Sequence, residues 1–371
     1  MATPQDSLFT PNPGTKENRR FIIAENAYRQ EIFLGFFGIY GCHPGPTLLL
    51  NAAVHGNEVV GVEVIRKLVE KINPENLCGT ILAVPVVNPM GFNAGDRWDP
   101  IDRQDMNRVF PGDKNGTLTE RAAHFFFENI VPHADFIIDL HSAEFPDEMI
   151  PHIRLRSDFT MQDRVSSPGH SLHDEAKRNV ISHNQFMNST GINVIWQGPA
   201  INGMLQVEAA RIGIRCLTIE IGAAGLINGN NVKVGLSACE NVMKVLGMIK
   251  GVAMIPKFQI LLKSNEEWIR SPSGGIFKPD IHLGQMVQKG QKIGDIVDPM
   301  SFYSGNILSP LQGIVTGITY QSIIRSGTRL CMIVPFDKER KDQHSLYVDH
   351  LPNAQMVEND LWQTIKKSVE N

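Results

Sequence analysis

The sequence predicts an α/β protein with a mixed, mostly parallel central sheet flanked by helices, followed by a small all-β barrel or sandwich. Three observations lead there. As far as Lys250, short apolar runs bounded by turn residues alternate with stretches of helical periodicity. After Lys250-Gly251 the helical periodicity stops, and short strands alternate with glycine turns. A chain of 371 residues also accommodates one large domain and a smaller one. The expected divisions are a disordered lead-in over 1–18, an α/β domain over 19–252, and a β unit with a C-terminal tail over 253–371.

In chain order, Phe21-Ile22-Ile23 and Ile32 to Tyr40 read as early strands around a polar turn. Thr47 to Val54 is an apolar run suited to a buried strand, and Val59, Val62, Ile65, Leu68, Val69 and Ile72 then fall on one helical face. Asn73-Pro74 breaks that helix, and Gly79 to Val86 gives another buried strand, so strand, helix and strand form a crossover unit. A long polar loop runs from Asn93 to Asn115, and its length marks it as functional rather than connecting. A helix over Thr119–Ile130 follows, capped by Thr117 or Thr119. Ala134 to Ser142 reads as a strand, residues 145–205 as a less regular segment with a helix-like stretch from Ser171 to Val180, and Met204 to Arg211 as a helix that Gly213 ends. Arg215 to Gly222 is a strand, and Val232 to Ile249 the last helix. Beyond it, Gly284, Val287, Gly290 and Ile293-Gly294, then Leu308-Ser309-Pro310-Leu311 and Gly313, resemble the lipoyl and biotinyl carrier barrel. Met300-Ser301-Phe302-Tyr303-Ser304 lacks the lysine that such carriers modify, so the barrel reads as unmodified.

Composition narrows the function classes. A net charge of −4 and a pI near 6.3 provide no electrostatic footprint for nucleic acid or an anionic membrane surface. No apolar run approaches the roughly 18 to 20 residues of a membrane-spanning helix. The first residues, with Pro4, Asp6, Pro11 and Pro13, lack the basic and apolar regions of a signal peptide. Five scattered cysteines favour reduced thiols over a disulfide framework. The expectation is a cytoplasmic protein without nucleic-acid or membrane partners, with homo-oligomerisation open.

The chemistry concentrates at strand ends. His55 leaves a strand and Glu58 enters a helix, so the two can converge on one point, and zinc accepts both imidazole nitrogen and carboxylate oxygen. His141 closes the strand Ala134–Ser142, and ligands of open α/β sheets bind beyond the carboxyl ends of strands. Glu220 lies in an apolar strand, where a carboxylate is costly unless paired or reactive; it is either a buried ion-pair partner or a general base, and a nearby metal favours the base. The loop carries Arg97, Asp102, Asp105, Asn107 and Arg108, and a guanidinium fork suits a substrate carboxylate. His43, His124, His133, His152 and His173 have no comparable setting.

Four motifs in this order resemble the succinylglutamate desuccinylase/aspartoacylase family, relatives of the zinc carboxypeptidases. They are His55-Gly56-Asn57-Glu58; Arg97 through Asp102 to Asn107-Arg108-Val109-Phe110-Pro111-Gly112; Asp139-Leu140-His141-Ser142; and Thr218-Ile219-Glu220-Ile221-Gly222. The resemblance covers roughly residues 45–250 and, through the appended barrel, most of the rest. It implies one Zn2+ per chain held by His55, Glu58 and His141, with Glu220 as general base. It further implies that Asn107 and Arg108 hold a substrate carboxylate and that Arg97 steadies the oxyanion. Gly222-Ala223-Ala224-Gly225 departs from the paired glycines of many relatives and bears on the pocket wall. The implied reaction is removal of a short acyl group from an N-acyl amino acid by metal-activated water. The alternatives are a zinc carboxypeptidase acting on peptides and a non-catalytic binding protein on a degenerate scaffold.

Overall fold

The computed structural model describes residues 12–144, 146–156, 181–256, 259–262 and 268–335. The expected helix-like stretch from Ser171 to Val180, the first eleven residues and the tail from Lys338 lie outside these.

Strands β1 (Thr15–Glu25) and β2 (Glu31–Tyr40) form an antiparallel hairpin, and β1 starts inside the stretch read as a lead-in. Asn26 closes its turn by accepting the backbone N–H groups of Tyr28 and Gln30 on its side-chain oxygen. β3 (His43–Ala52), β4 (Cys78–Val84) and β5 (Phe136–Ala143) follow, then β6 (Asp147–Arg156), β7 (Val194–Gly198) and β8 (Arg215–Ala223). The order β4-β3-β5-β8 is parallel throughout, with β2 antiparallel to β4 and β6 antiparallel to β8. The carboxyl ends of β3, β5 and β8 therefore open side by side.

Strand alternation divides the core into two layers. Leu48, Leu50, Ile138 and Leu140 face the helices Val60–Lys71 and Gly229–Val245, whereas Leu49 and Ile137 face Phe126 of Leu118–Asn129 and Leu205 and Ala209 of Leu205–Arg211. Helix Val60–Lys71 buries Val60, Val64, Ile65 and Leu68. Of the expected face Ile65, Leu68 and Ile72 are buried, while Val59, Val62 and Val69 are only half-buried, so the stripe is rotated toward Val60 and Val64. Thr117, one of the two expected caps, forms a reciprocal capping box with Glu120. Thr119 instead ties the helix to the long loop, donating its N–H and hydroxyl to Asp102 at 3.0 and 2.9 Å.

The remaining strands are β9 (Ile260–Leu262), β10 (Trp268–Arg270), β11 (Gly275–Pro279), β12 (Met286–Val287), β13 (Lys292–Val297), β14 (Ser304–Leu308), β15 (Gly313–Thr319), β16 (Ile323–Ile324) and β17 (Arg329–Pro335). Some build a separate four-stranded sheet, β14-β13-β11-β16. Others continue the central sheet: β15 pairs antiparallel with β6 through Gly317↔Met149, Ile318↔Glu148 and Thr319↔Asp147, and β17 and β10 follow. A third apolar cluster spans this join, placing Met149, Ile150 and Trp196 with Val315, Ile318 and Ile333. The sequence pattern locates most of these strands but not their partner.

A sheet edge left unpaired invites association with other chains. A chain truncated after Val252 would expose the edge of β6 together with Met149 and Ile150. We expect such a fragment to aggregate; a soluble fragment that unfolds cooperatively by circular dichroism would show the C-terminal strands to be dispensable.

Candidate metal and substrate site

The bend that delivers His55 begins at Ala53, whose φ of +48° lies in the left-handed region, at a cost of about 1–2 kcal/mol for a residue with a Cβ. Two hydrogen bonds hold it: Val87 N–H to the Ala52 carbonyl at 3.1 Å and Asn88 N–H to the Ala53 carbonyl at 2.9 Å. Gly56 is dictated by contact, since a Cβ there would lie 2.0 Å from the Gly91 carbonyl carbon. Its N–H donates to the Arg97 carbonyl at 3.1 Å, which fastens the long loop to the turn carrying His55 and Glu58.

His55, Glu58 and His141 meet at the carboxyl ends of β3 and β5, all three almost fully buried. The Glu58 oxygens lie 2.6 Å from His55 Nδ1 and 2.8 Å from His141 Nδ1, and the two Nδ1 atoms are 3.2 Å apart. Glu58 Oε2 also accepts the Ser142 backbone N–H at 3.0 Å. On its outer side each imidazole faces a further carboxylate: His55 Nε2 is 3.1 Å from Asp105, and His141 Nε2 is 2.9 Å from Asp139. Asp139 is held in turn by the Asn51 side-chain amide at 2.6 Å. Protons on both Nε2 atoms satisfy these carboxylates and leave both Nδ1 lone pairs aimed inward. Two imidazole lone pairs and a carboxylate crowded together fit one divalent cation, and the nitrogen and oxygen donors suit zinc.

Among themselves, the same groups complement one another in charge. Burial alone would lower both histidine pKa values, but Glu58 and Asp105 raise that of His55, and Asp139 and Glu58 raise that of His141 further. Burial would raise the Glu58 and Asp105 pKa values, yet the facing histidines, with Arg97 beside Asp105, hold both well below the ordinary carboxylate range. The centre is built to keep its carboxylates charged.

The other predicted residues surround it. Arg97 pairs with Asp105 at 3.0 Å and lies 3.6 Å from Glu58. Asn107 lines the pocket while its side-chain oxygen accepts the Leu205 N–H at 2.9 Å, capping helix Leu205–Arg211 from a distance. Arg108 is exposed in the pocket, one guanidinium nitrogen bonded to the Asn107 carbonyl at 2.7 Å. Glu220 stands beside His141 in the register of β8 on β5, and burial raises its pKa against the opposing pull of Arg154, 3.5 Å away. All seven predicted residues line one cleft of about 900 Å³.

Several residues in and around this cleft receive no role from the sequence. Asp139 and Asp105 orient the histidines, and Asp139 has the same sequence signal as Glu220, an acid in an apolar strand. Arg154 and Arg156 arise from β6, whose alternation is interrupted by Pro151, and Trp196 comes from β7. Trp268 and Arg329 come from the C-terminal strands, so those strands wall the cleft directly. His152 is fully buried, while His43 is exposed.

Residues 44–246 match the succinylglutamate desuccinylase/aspartoacylase catalytic domain. The chain belongs to this family. It is 26% identical to the N-alpha-acetyl-L-2,4-diaminobutyric acid deacetylase of Halomonas elongata over 258 residues, which is 68% of this chain and 71% of that one. A shorter stretch of 114 residues, 27% of this chain and 32% of the relative, is 32% identical to the succinylglutamate desuccinylase of Pseudomonas aeruginosa. The fold is also that of the product-bound ectoine utilization protein EutE (DoeB) from Ruegeria pomeroyi, with a TM-score of 0.71, 22% identity, and coverage of 89% of this chain and 98% of that one.

Asp139 lies 2.9 Å from His141 Nε2, and loss of such a carboxylate partner of a metal-binding histidine typically costs 10–100-fold in metal affinity. Asp139→Asn should weaken zinc binding by about that factor, read by competition with a chromogenic chelator. Unchanged affinity would remove Asp139 from the metal centre.

Proposed function

We propose that the protein is a zinc-dependent amidohydrolase that removes a short acyl group from an N-acyl amino acid. One observation carries this reading: the buried His55-Glu58-His141 cluster, the carboxylate of Glu220 and the exposed guanidinium of Arg108 open into one cleft. The named activities of the relatives, deacetylation of an acetylated diamino acid and desuccinylation, support it.

His55, Glu58 and His141 would hold the zinc ion, one per chain. When bound, zinc supplies Lewis acidity and makes water a nucleophile near neutral pH. Glu220 takes the proton of the attacking water and passes it to the departing amine, and its burial moves its pKa toward the range where a general base works best. Arg108, with the amide of Asn107 beside it, grips the substrate carboxylate and sets the acyl carbon within reach of attack. Arg97, held by Asp105, presents a fixed positive charge to the developing oxyanion.

Peptide hydrolysis is the second reading, since a carboxypeptidase needs the same groups but an open cleft. Trp268 and Arg329 wall this one, which favours small substrates. We further take the division into a catalytic 19–252 region and a β region over 253–371, with an unmodified lipoyl-like barrel, as the working domain scheme. Its support is the separate sheet β14-β13-β11-β16, with exposed Met300, Phe302 and Tyr303 at the tip where a carrier has its lysine. Five cysteines without a disulfide agree with a cytoplasmic setting. No helix among the described residues is long and apolar enough to cross a membrane.

A panel of N-acetyl and N-succinyl amino acids assayed beside C-terminal dipeptides tests the substrate class. Hydrolysis of the former, lost on chelation and restored by zinc, is the expected result; preference for dipeptides would reverse the two readings. Glu220→Gln should retain zinc and lower kcat by about 10²–10⁴-fold. A near-normal rate in that variant would end its assignment as the base.

A further inference from the structure

Near Glu220, three groups have no task in the chemistry above: Arg154 on β6 and Trp196 on β7, which line the cleft, and the buried His152 on β6. The antiparallel register of β6 on β8 sets His152 opposite Glu220 and Arg154 opposite Thr218. Directly opposed residues share a face, so both side chains project to the side where Glu220 lies. Trp196 is in register with Arg154 on the other side of β6.

The contacts are specific. Arg154 Nε lies 3.5 Å from Glu220 Oε1, the one ion pair shown for Glu220 among the described residues. The Arg154 guanidinium carbon lies 5.3 Å from the centre of the Trp196 ring, and Trp196 is only 1% exposed. The His152 ring packs 5.3 Å from the same indole, and its own position is fixed because Nδ1 lies 2.8 Å from the Ile150 carbonyl. A long, flexible arginine is thus held by a buried tryptophan that a buried histidine braces in turn.

Glu220 needs such a guide. Its carboxylate ends a flexible side chain, and general-base catalysis requires the accepting oxygen to be held within hydrogen-bond reach of the reacting proton. The backbone of β8 fixes where the side chain starts but not where it ends. We propose that Arg154, pinned by Trp196, is a positioning residue that aims the Glu220 carboxylate at the reacting water. This rests on the reading of Glu220 as general base.

A double-mutant cycle on the full-length zinc-loaded enzyme tests it, using the N-acyl amino acid it hydrolyses fastest. Arg154→Gln should lower kcat by about 100-fold with little change in KM, the scale of a misplaced catalytic group. In a Glu220→Gln background the same change should cost almost nothing further, because the group it aims is already disabled. Added guanidinium should recover part of the kcat of Arg154→Ala. Zinc content and thermal midpoint control for folding, and Trp196→Phe, which keeps an aromatic platform, should stay within a few-fold while Trp196→Leu loses about 10-fold in kcat. A raised KM at constant kcat, or an Arg154→Gln loss that persists undiminished beside Glu220→Gln, would overturn the proposal and make Arg154 a substrate-binding group. A near-normal Glu220→Gln single variant would instead sink the base reading, and this proposal with it.

Discussion

Two imidazole nitrogens and one backbone N–H reach the same buried carboxylate, that of Glu58, and none of them could do so unless β3 and β5 ended side by side. A carboxylate this deeply buried is prohibitively costly alone. Here its surroundings are charged or polar in successive layers: the histidines, then Asp105 and Asp139, then Arg97 and Asn51. Each layer satisfies the one inside it, and the part running through β3 and β5 is set by backbone geometry rather than by side-chain reach. Asn51 and Asp139 are register partners on adjacent parallel strands, and Asp139 and His141 lie two residues apart on one strand face. Sheet register and the geometry of this cluster are therefore the same constraint.

That coupling explains what could be read from the sequence. Strand ends are legible because apolar runs stop at turn residues, so His55 and His141 could be placed on one edge of the sheet without coordinates. Glu220 stood out because an acid in an apolar run demands a reason. Asp139 made the same demand but was read as part of a motif, and its role emerges only when its pairing with Asn51 and His141 is seen. β6 was not legible: Pro151 and the charged Asp147-Glu148 and Arg154 to Arg156 obscure a strand whose hydrogen-bonding partners come from both halves of the chain. The second role of Asn107, capping a helix 98 residues away, leaves no local trace at all.

The long loop shows why a polar segment can be rigid. Its middle is tied to the helix Leu118–Asn129 through Asp102, its start to the His55 turn through Gly56, and its end to Leu205 through Asn107. The backbone that carries Arg97 and Arg108 is therefore tied down at several points. Their flexibility is confined to the side chains, and Arg97 loses most of even that to Asp105.

The pairing of β15 with β6 also bears on how the molecule is made. A chain emerging from the ribosome completes His55, Glu58, His141 and Glu220 once residue 223 has been synthesised, yet the outer edge of β6 finds its neighbour only about ninety residues later, when 313–319 appear. Until then the strand that bears Arg154 has an open border, and Met149 and Ile150 have no cover from Val315 and Ile318. The cluster of His55, Glu58 and His141 is thus synthesised well before Trp268 and Arg329, which wall its cleft. Order of synthesis separates the clustered side chains from the C-terminal strands that enclose them.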